Sequence, residues 1–121
     1  MTALLVGLFG TAGALTRFAV DGWLAGFPSP RRHWPLATLL VNVAGSFVIG
    51  LSVGVTSVFG PEWHAALATG FAGGLTTFSS WTTATVRLAS ERRYVAAAAN
   101  VLANLLLGLA AAAAGLAISG G

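Results

Sequence analysis

The side chains able to do chemistry in this chain are nearly all neutral hydrogen-bond donors. Thr76, Thr77, Ser79, Ser80, Thr82 and Thr83 crowd together, with the rings of Phe78 and Trp81 among them. Two further sets recur every four residues: Thr38, Asn42 and Ser46, then Asn100 and Asn104. Hydroxyls and amides can replace the water shell of a small anion. Ring edges carry partial positive charge, and Phe78 and Trp81 share a helix face, so both can add edge contacts. The acidic residues Asp21, Glu62 and Glu91 all fall near the ends of apolar segments. Proton-coupled cation exporters use an acid buried in the membrane, and cation channels use acidic rings, so neither fits. No nucleophile–base pair, metal-ligand cluster or phosphate loop is present, and no catalysis is assigned.

The elements that must position these groups are membrane helices. The chain has 121 residues, 56% hydrophobic and 7% charged, and its mean hydropathy is +0.84. Soluble domains carry about 25% charged residues. A crossing takes roughly 20 apolar residues, so four fit, five do not, and very little length is left for a soluble domain. Residues 1–121 read as one membrane domain with spans at about 2–24, 36–58, 65–88 and 94–118. The first apolar run has no basic leader and reads as a span, not a cleaved signal. Four short helices do not enclose a pathway alone, so an oligomer is expected. There is no cysteine, which leaves the redox context unread.

The stretch Gly70-Phe71-Ala72-Gly73-Gly74-Leu75-Thr76-Thr77-Phe78-Ser79-Ser80-Trp81 lies inside the third span. Glycine weakens a helix, and hydroxyls can take over freed backbone groups. This predicts a helix broken at mid-membrane, with a binding or conduction site beside it. Carbonyls freed around Gly73–Thr76 would suit a bound cation. The other spans read two ways. Gly7, Gly10, Gly13 and Ala14 form a small-residue packing stripe, followed by Arg17 and Asp21, which could pair or leave Arg17 facing a watery vestibule. Thr38, Asn42, Ser46, Gly50 and Gly54 are a helix contact or a donor track, in equal measure. Asn100, Asn104, Gly108 and Ala112 form a similar stripe, and each asparagine needs a partner in hydrocarbon. Trp34 and Trp63 suit the headgroup level. His33 and His64 read as polar interfacial residues.

These motifs resemble the Fluc/CrcB fluoride channels over nearly the whole chain. The signature is Gly70 to Ser79, supported by Thr38-Leu39-Leu40-Val41-Asn42 with Gly45-Ser46 and by the glycine-rich first span ending at Arg17. The resemblance implies an all-α integral membrane protein with four transmembrane helices per subunit. It implies an antiparallel dimer with two pores that passes fluoride passively out of the cytoplasm across the cell membrane, against toxicity. Phe78 matches the first of two phenylalanines whose edges face fluoride. Asn42 and Thr38 match pore residues, and Arg17 matches the arginine of the first span. Ser46, Ser79, Trp81 and Asn104 complete the expected pathway. Gly73 and Thr76 match residues whose main-chain oxygens hold a structural sodium between subunits. The chain departs from the pattern at Trp81, where a second phenylalanine is usual. It departs also at Asn100, in place of a tyrosine, and at Asn104 and Gly108, in place of serines.

The charges add an expectation about assembly. Arg31-Arg32 and Arg92-Arg93 follow the first and third spans, so four crossings put both loops on one side. That bias predicts one orientation, with these loops cytoplasmic and both termini outside. An antiparallel dimer then requires a second, similar subunit of opposite bias, although pairing with itself remains the other option. Two different classes of function compete with the channel. A small multidrug exporter has this length but needs a glutamate in the first span. A non-transporting assembly subunit would explain the packing stripes but not the Gly-Gly-Leu-Thr-Thr-Phe-Ser break.

Overall fold

The computed structural model describes residues 1–26 and 34–120, and all regular structure among them is helical. The expectations for the loop 27–33, with Arg31, Arg32 and His33, fall outside the described residues. Helix α1 spans Thr2–Ala25 and α2 spans Leu36–Phe59. A short α3 (Pro61–Ala65) opens with proline at its first turn and runs into a π-helical turn, Ala66–Ala72. Then come α4 (Gly73–Leu75), the extended residues Thr76 and Thr77, α5 (Phe78–Ser90) and α6 (Tyr94–Ile118). Helices α1, α2 and α6 are each long and apolar enough to cross a membrane. They coincide with the apolar runs because Pro35 and the turns at Gly60 and Arg92–Arg93 punctuate the chain there.

The packing is that of a membrane protein. Leu4, Leu8, Leu15, Phe18, Leu102 and Leu106 point outward, while the buried set is dominated by small or polar residues such as Ala66, Ala72, Ala84, Ser52 and Asn104. Without a hydrophobic drive between helices, close backbone contact and hydrogen bonds hold such a bundle. Two such seams exist. In the first, a side chain on Gly13 would strike the Phe71 carbonyl and the Leu75 amide, and one on Gly74 would strike the Gly10 carbonyl. In the second, Gly50 lies against the Ala112 carbonyl and Gly115 against the Phe47 carbonyl. Along the first seam Val6 meets Gly70 and Gly13 meets Leu75, and along the second Ser46 meets Gly108, Gly50 meets Ala112 and Gly54 meets Ser119, so α1 runs parallel to residues 61–75 and α2 runs parallel to α6. Of the expected stripes, Gly10, Gly13, Gly50, Gly54 and Gly108 sit at helix contacts. Gly7 is the exception, with open space beside it.

The seams expose a likeness within the chain. Gly10-Thr11-Ala12-Gly13-Ala14-Leu15-Thr16-Arg17-Phe18 shares glycine, alanine, glycine, leucine, threonine and phenylalanine, in register, with residues 70–78. Asn42-Val43 and Gly50-Leu51 reappear with the same spacing as Asn100-Val101 and Gly108-Leu109. Yet residues 10–18 are continuous helix, whereas residues 70–78 are not.

Two details differ from expectation. The glycines do not make the break: Gly73 is helical, with φ −63° and ψ −39°. The threonines make it, with Thr76 at φ −79°, ψ 162° and Thr77 at φ −148°, ψ 118°. A β-branched residue accepts such extended angles readily. Arg17 and Asp21 also do not pair. An acid four residues after a base is the weaker order on a helix, and Asp21 is exposed.

Candidate functional site

The site is built around Thr77, which is only 7% exposed. Its backbone has left the helix, so both its N–H and its C=O need partners. Asn42 on α2 supplies both. Asn42 Oδ1 accepts from the Thr77 N–H at 2.8 Å, and Asn42 Nδ2 donates to the Thr77 carbonyl at 3.1 Å. The Thr77 hydroxyl caps α5 by accepting from the Ser80 N–H at 3.0 Å. A threonine cap with extended backbone is a good helix start.

This arrangement releases several carbonyls around the interruption, those of Gly73 and Thr76 among them. In an unbroken helix the Gly73 carbonyl would accept from the Thr77 N–H, and the Thr76 carbonyl from the Ser80 N–H. Both donors are diverted, the first to Asn42 and the second to the Thr77 hydroxyl. Gly73 is exposed and Thr76 half-buried. Neutral carbonyl oxygens freed in this way are the donor type that suits a hard monovalent cation.

A chain of amides continues from Asn42. Its Nδ2 also donates to Asn104 Oδ1 at 2.9 Å. Asn104 Nδ2 reaches the Asn100 carbonyl at 2.9 Å and Asn100 Oδ1 at 3.2 Å. Asn100, fully buried, donates to Thr85 Oγ1 at 2.9 Å and to the Trp81 carbonyl at 3.3 Å. The Trp81 indole N–H returns a bond to the Asn100 carbonyl at 3.1 Å. Polar groups on α2, α5 and α6 are thus joined through hydrocarbon with no buried side-chain polar atom left unpaired among the described residues.

Beside this chain lies an exposed face. Phe78 is 72% exposed, and Ser79 and Ser80 are exposed with it. The Phe78 and Trp81 rings meet edge to face, with centroids 5.6 Å apart and planes at 77°. Ser46 donates to the Asn42 carbonyl at 2.8 Å and faces Gly108. Thr38 is half-buried one turn before Asn42. The structure therefore gathers Asn42, Ser46, Asn104, Trp81, Phe78 and Ser79 around the break. Arg17 is half-buried on α1, and it makes no hydrogen bond or ion pair with this group. Thr77, Asn100 and Thr85 belong to the cluster although the sequence reading left them out of the site. The signal for Thr77 was its place three residues before Ser80, a capping distance. The signal for Asn100 was its spacing of four from Asn104.

Residues 4–116 match the family described as CrcB-like protein, Camphor Resistance (CrcB). The chain belongs to the CrcB family. This CrcB-family chain is 46% identical to a protein of Renibacterium salmoninarum named fluoride-specific ion channel FluC, over 98% of this chain and 99% of that one. It is 41% identical to a protein of the same name from Geobacter metallireducens, over 91% and 90% of the two chains. One from Thermococcus kodakarensis is 37% identical over 93% and 91%. With three membrane-length apolar helices, this member of the CrcB family is a multi-pass membrane protein.

Proposed function

We propose that the chain is a subunit of a fluoride-selective passive ion channel that lets fluoride leave the cytoplasm and so lowers its toxicity. It is a transport protein, not an enzyme. The observation that carries this is the near full-length identity with proteins named fluoride-specific ion channels. The geometry is compatible in kind: neutral donors and two aromatic rings cluster at a helix break, and no acid is among them.

The two parallel seams support a reading with four crossings. If α1 and residues 61–75 run one way and α2 and α6 run the other, residues 61–90 form a further crossing, with its break at mid-membrane. The pathway is bordered by Phe78, Trp81, Ser79, Thr38, Asn42, Ser46 and Asn104, with Arg17 toward its mouth. The exposed Phe78, Ser79 and Gly73 favour an antiparallel dimer that covers this face and encloses two pores. The carbonyls of Gly73 and Thr76 would hold a sodium ion between the subunits, where its charge makes the site electropositive toward an anion. The basic bias of the loops favours a second, similar subunit as the partner.

Fluoride efflux from liposomes, followed with a fluoride electrode, tests the function. Fast fluoride loss with chloride retained is expected, without any proton gradient. Liposomes that keep both ions, with and without a second subunit, would refute it. Accessibility of a C-terminal tag tests the pairing: equal labelling from both sides would refute the heterodimer.

A further inference from the structure

We propose that the cleft between Trp34 and the start of α6 binds an anionic phospholipid, with the phosphodiester at Arg92 and Arg93 and an acyl chain along the outer face of α6. The membrane character of the chain supports this site, and the fluoride reading is not needed for it.

The cavity has a volume of about 620 Å³, within the ordinary range of small-molecule sites. Trp34 forms one wall, and Arg92, Arg93 and the first turns of α6 form the rest. That wall is fixed. The Trp34 indole N–H donates to the Ala96 carbonyl at 3.2 Å, which ties the ring to α6. Tryptophan and tyrosine favour the headgroup level, and Tyr94 opens α6 in the same cavity.

The charge at its mouth is positive and held in place. The Arg92 N–H donates to the Ala89 carbonyl at 3.0 Å, and the Arg93 N–H to the Leu88 carbonyl at 2.9 Å, so the turn is bonded back onto α5. Arg92 takes a left-handed conformation there, with φ 62°. Its side chain is exposed, and among the described residues no hydrogen bond or ion pair engages it. Arg93 is half-buried, with Glu91 at 3.9 Å, so one carboxylate offsets part of one of the two charges. The helix adds to this field. No side chain caps α6, and the N–H groups of Tyr94, Val95 and Ala96 point back toward the turn at the positive end of the helix dipole.

A free anion would use only this end of the site. A lipid would use the rest as well. Ala99 lines the cavity and continues it along α6. Val95, Ala99, Leu102 and Leu106 recur at spacings of four, three and four, which places them on one face, and all are exposed. Asn100 and Asn104 are buried on the opposite side of the helix, so this track is separate from the cluster at the break. The charge bias of the loops favours the cytoplasmic leaflet for this end, the leaflet that carries anionic lipid.

Native mass spectrometry of the full-length protein tests the site, with the protein released from detergent containing equal amounts of phosphatidylglycerol and phosphatidylcholine. The parent should retain phosphatidylglycerol about tenfold over phosphatidylcholine, and Arg92→Gln should cut that preference about fivefold, the share of one arginine near an anionic surface. Ala99→Trp keeps every charge and fills the groove, and it should lower bound phosphatidylglycerol at least as far. Should Ala99→Trp not assemble, Ala99→Met narrows the same groove and a smaller fall is expected. Inorganic phosphate at the lipid concentration should leave the lipid bound. Displacement by phosphate would make the cavity a phosphate site and overturn the lipid assignment. A ratio untouched by Arg92→Gln would overturn the site itself. So would a ratio that falls with Arg92→Gln but ignores both changes at Ala99, since that marks only diffuse attraction between a basic turn and an anionic surface. If the wild-type protein passes no fluoride, the channel reading fails, while the lipid ratios still decide this site.

Discussion

Replacing Asn42 with alanine removes three hydrogen bonds in one step: two to the Thr77 backbone and one to Asn104. Each is worth about 1 kcal/mol net, and each buried group left unpaired adds about 1–3 kcal/mol. Thr77 is too buried for water to repair the loss. Full loss without relaxation would exceed the stability of many domains. The chain has an escape, however, because residues 73–80 can close into continuous helix and restore the Thr77 N–H to the Gly73 carbonyl. The expected cost is then about 3–5 kcal/mol, much of it from Asn104 and from Phe78 turning away from its present face. For a chain of this size that is a fall in melting temperature of roughly 10–20 °C. The assay is thermal unfolding in detergent, monitored by size-exclusion chromatography, together with liposome efflux. Closure of the break should abolish fluoride flux even in the fraction that remains assembled. A variant that melts within about 2 °C of the parent and conducts normally would refute the clamp and its energetics.

The seams and rings give further expectations. Gly13→Leu drives a side chain into the backbone at Phe71 and Leu75, so assembly should be lost, whereas Gly7→Leu, beside open space, should elute like the parent. Phe78→Ile keeps an apolar group on an exposed position, so thermal stability should change by less than about 1 kcal/mol while fluoride efflux disappears. Trp34→Phe deletes the indole bond to the Ala96 carbonyl at 3.2 Å, which ties the start of α2 to α6. It should cost about 0.5–1.5 kcal/mol in thermal unfolding. Replacing sodium by a bulky organic cation should weaken the dimer on size exclusion if the Gly73 and Thr76 carbonyls hold the ion. An unchanged profile would argue against that assignment.

The long helices were legible because membrane crossings demand unbroken apolar runs, and proline or glycine turns end them at Pro35 and Gly60. The small-residue stripes were legible as contacts for the same reason: hydrocarbon leaves little but close backbone packing to hold helices together. The extended residues Thr76 and Thr77 lie inside the stretch that the sequence singled out, though not at its glycines. Glycine content pointed at Gly73 and Gly74, yet local propensity was overridden by a residue 35 positions away, since Asn42 selects Thr77. The π-helical turn at 66–72 had no local signal at all. It lies where Gly70 meets Val6 and Phe9, so it answers to the seam with α1 and not to its own sequence. The site residues split along the same line. Phe78 and Ser79 were singled out from their types, and they lie beside the interruption at Thr76–Thr77. Asn100 and Thr85 acquire meaning only once α5 and α6 are adjacent, and Arg17, which does not pair with Asp21, shows that spacing alone does not make an ion pair.

One polypeptide thus carries two nearly matching stretches, straight at 10–18 and bent at 70–78. The bend needs two things together: Thr77, where the straight stretch has Arg17, and the amide of Asn42 that receives its peptide. A lineage of plain spanning hairpins could therefore acquire a bent, ligand-ready crossing by one capping residue in the crossing and one matching change on the neighbouring helix. Designers wishing to open a membrane helix at a chosen residue could borrow the same economy, aiming one well-supported carboxamide at the peptide they want undone.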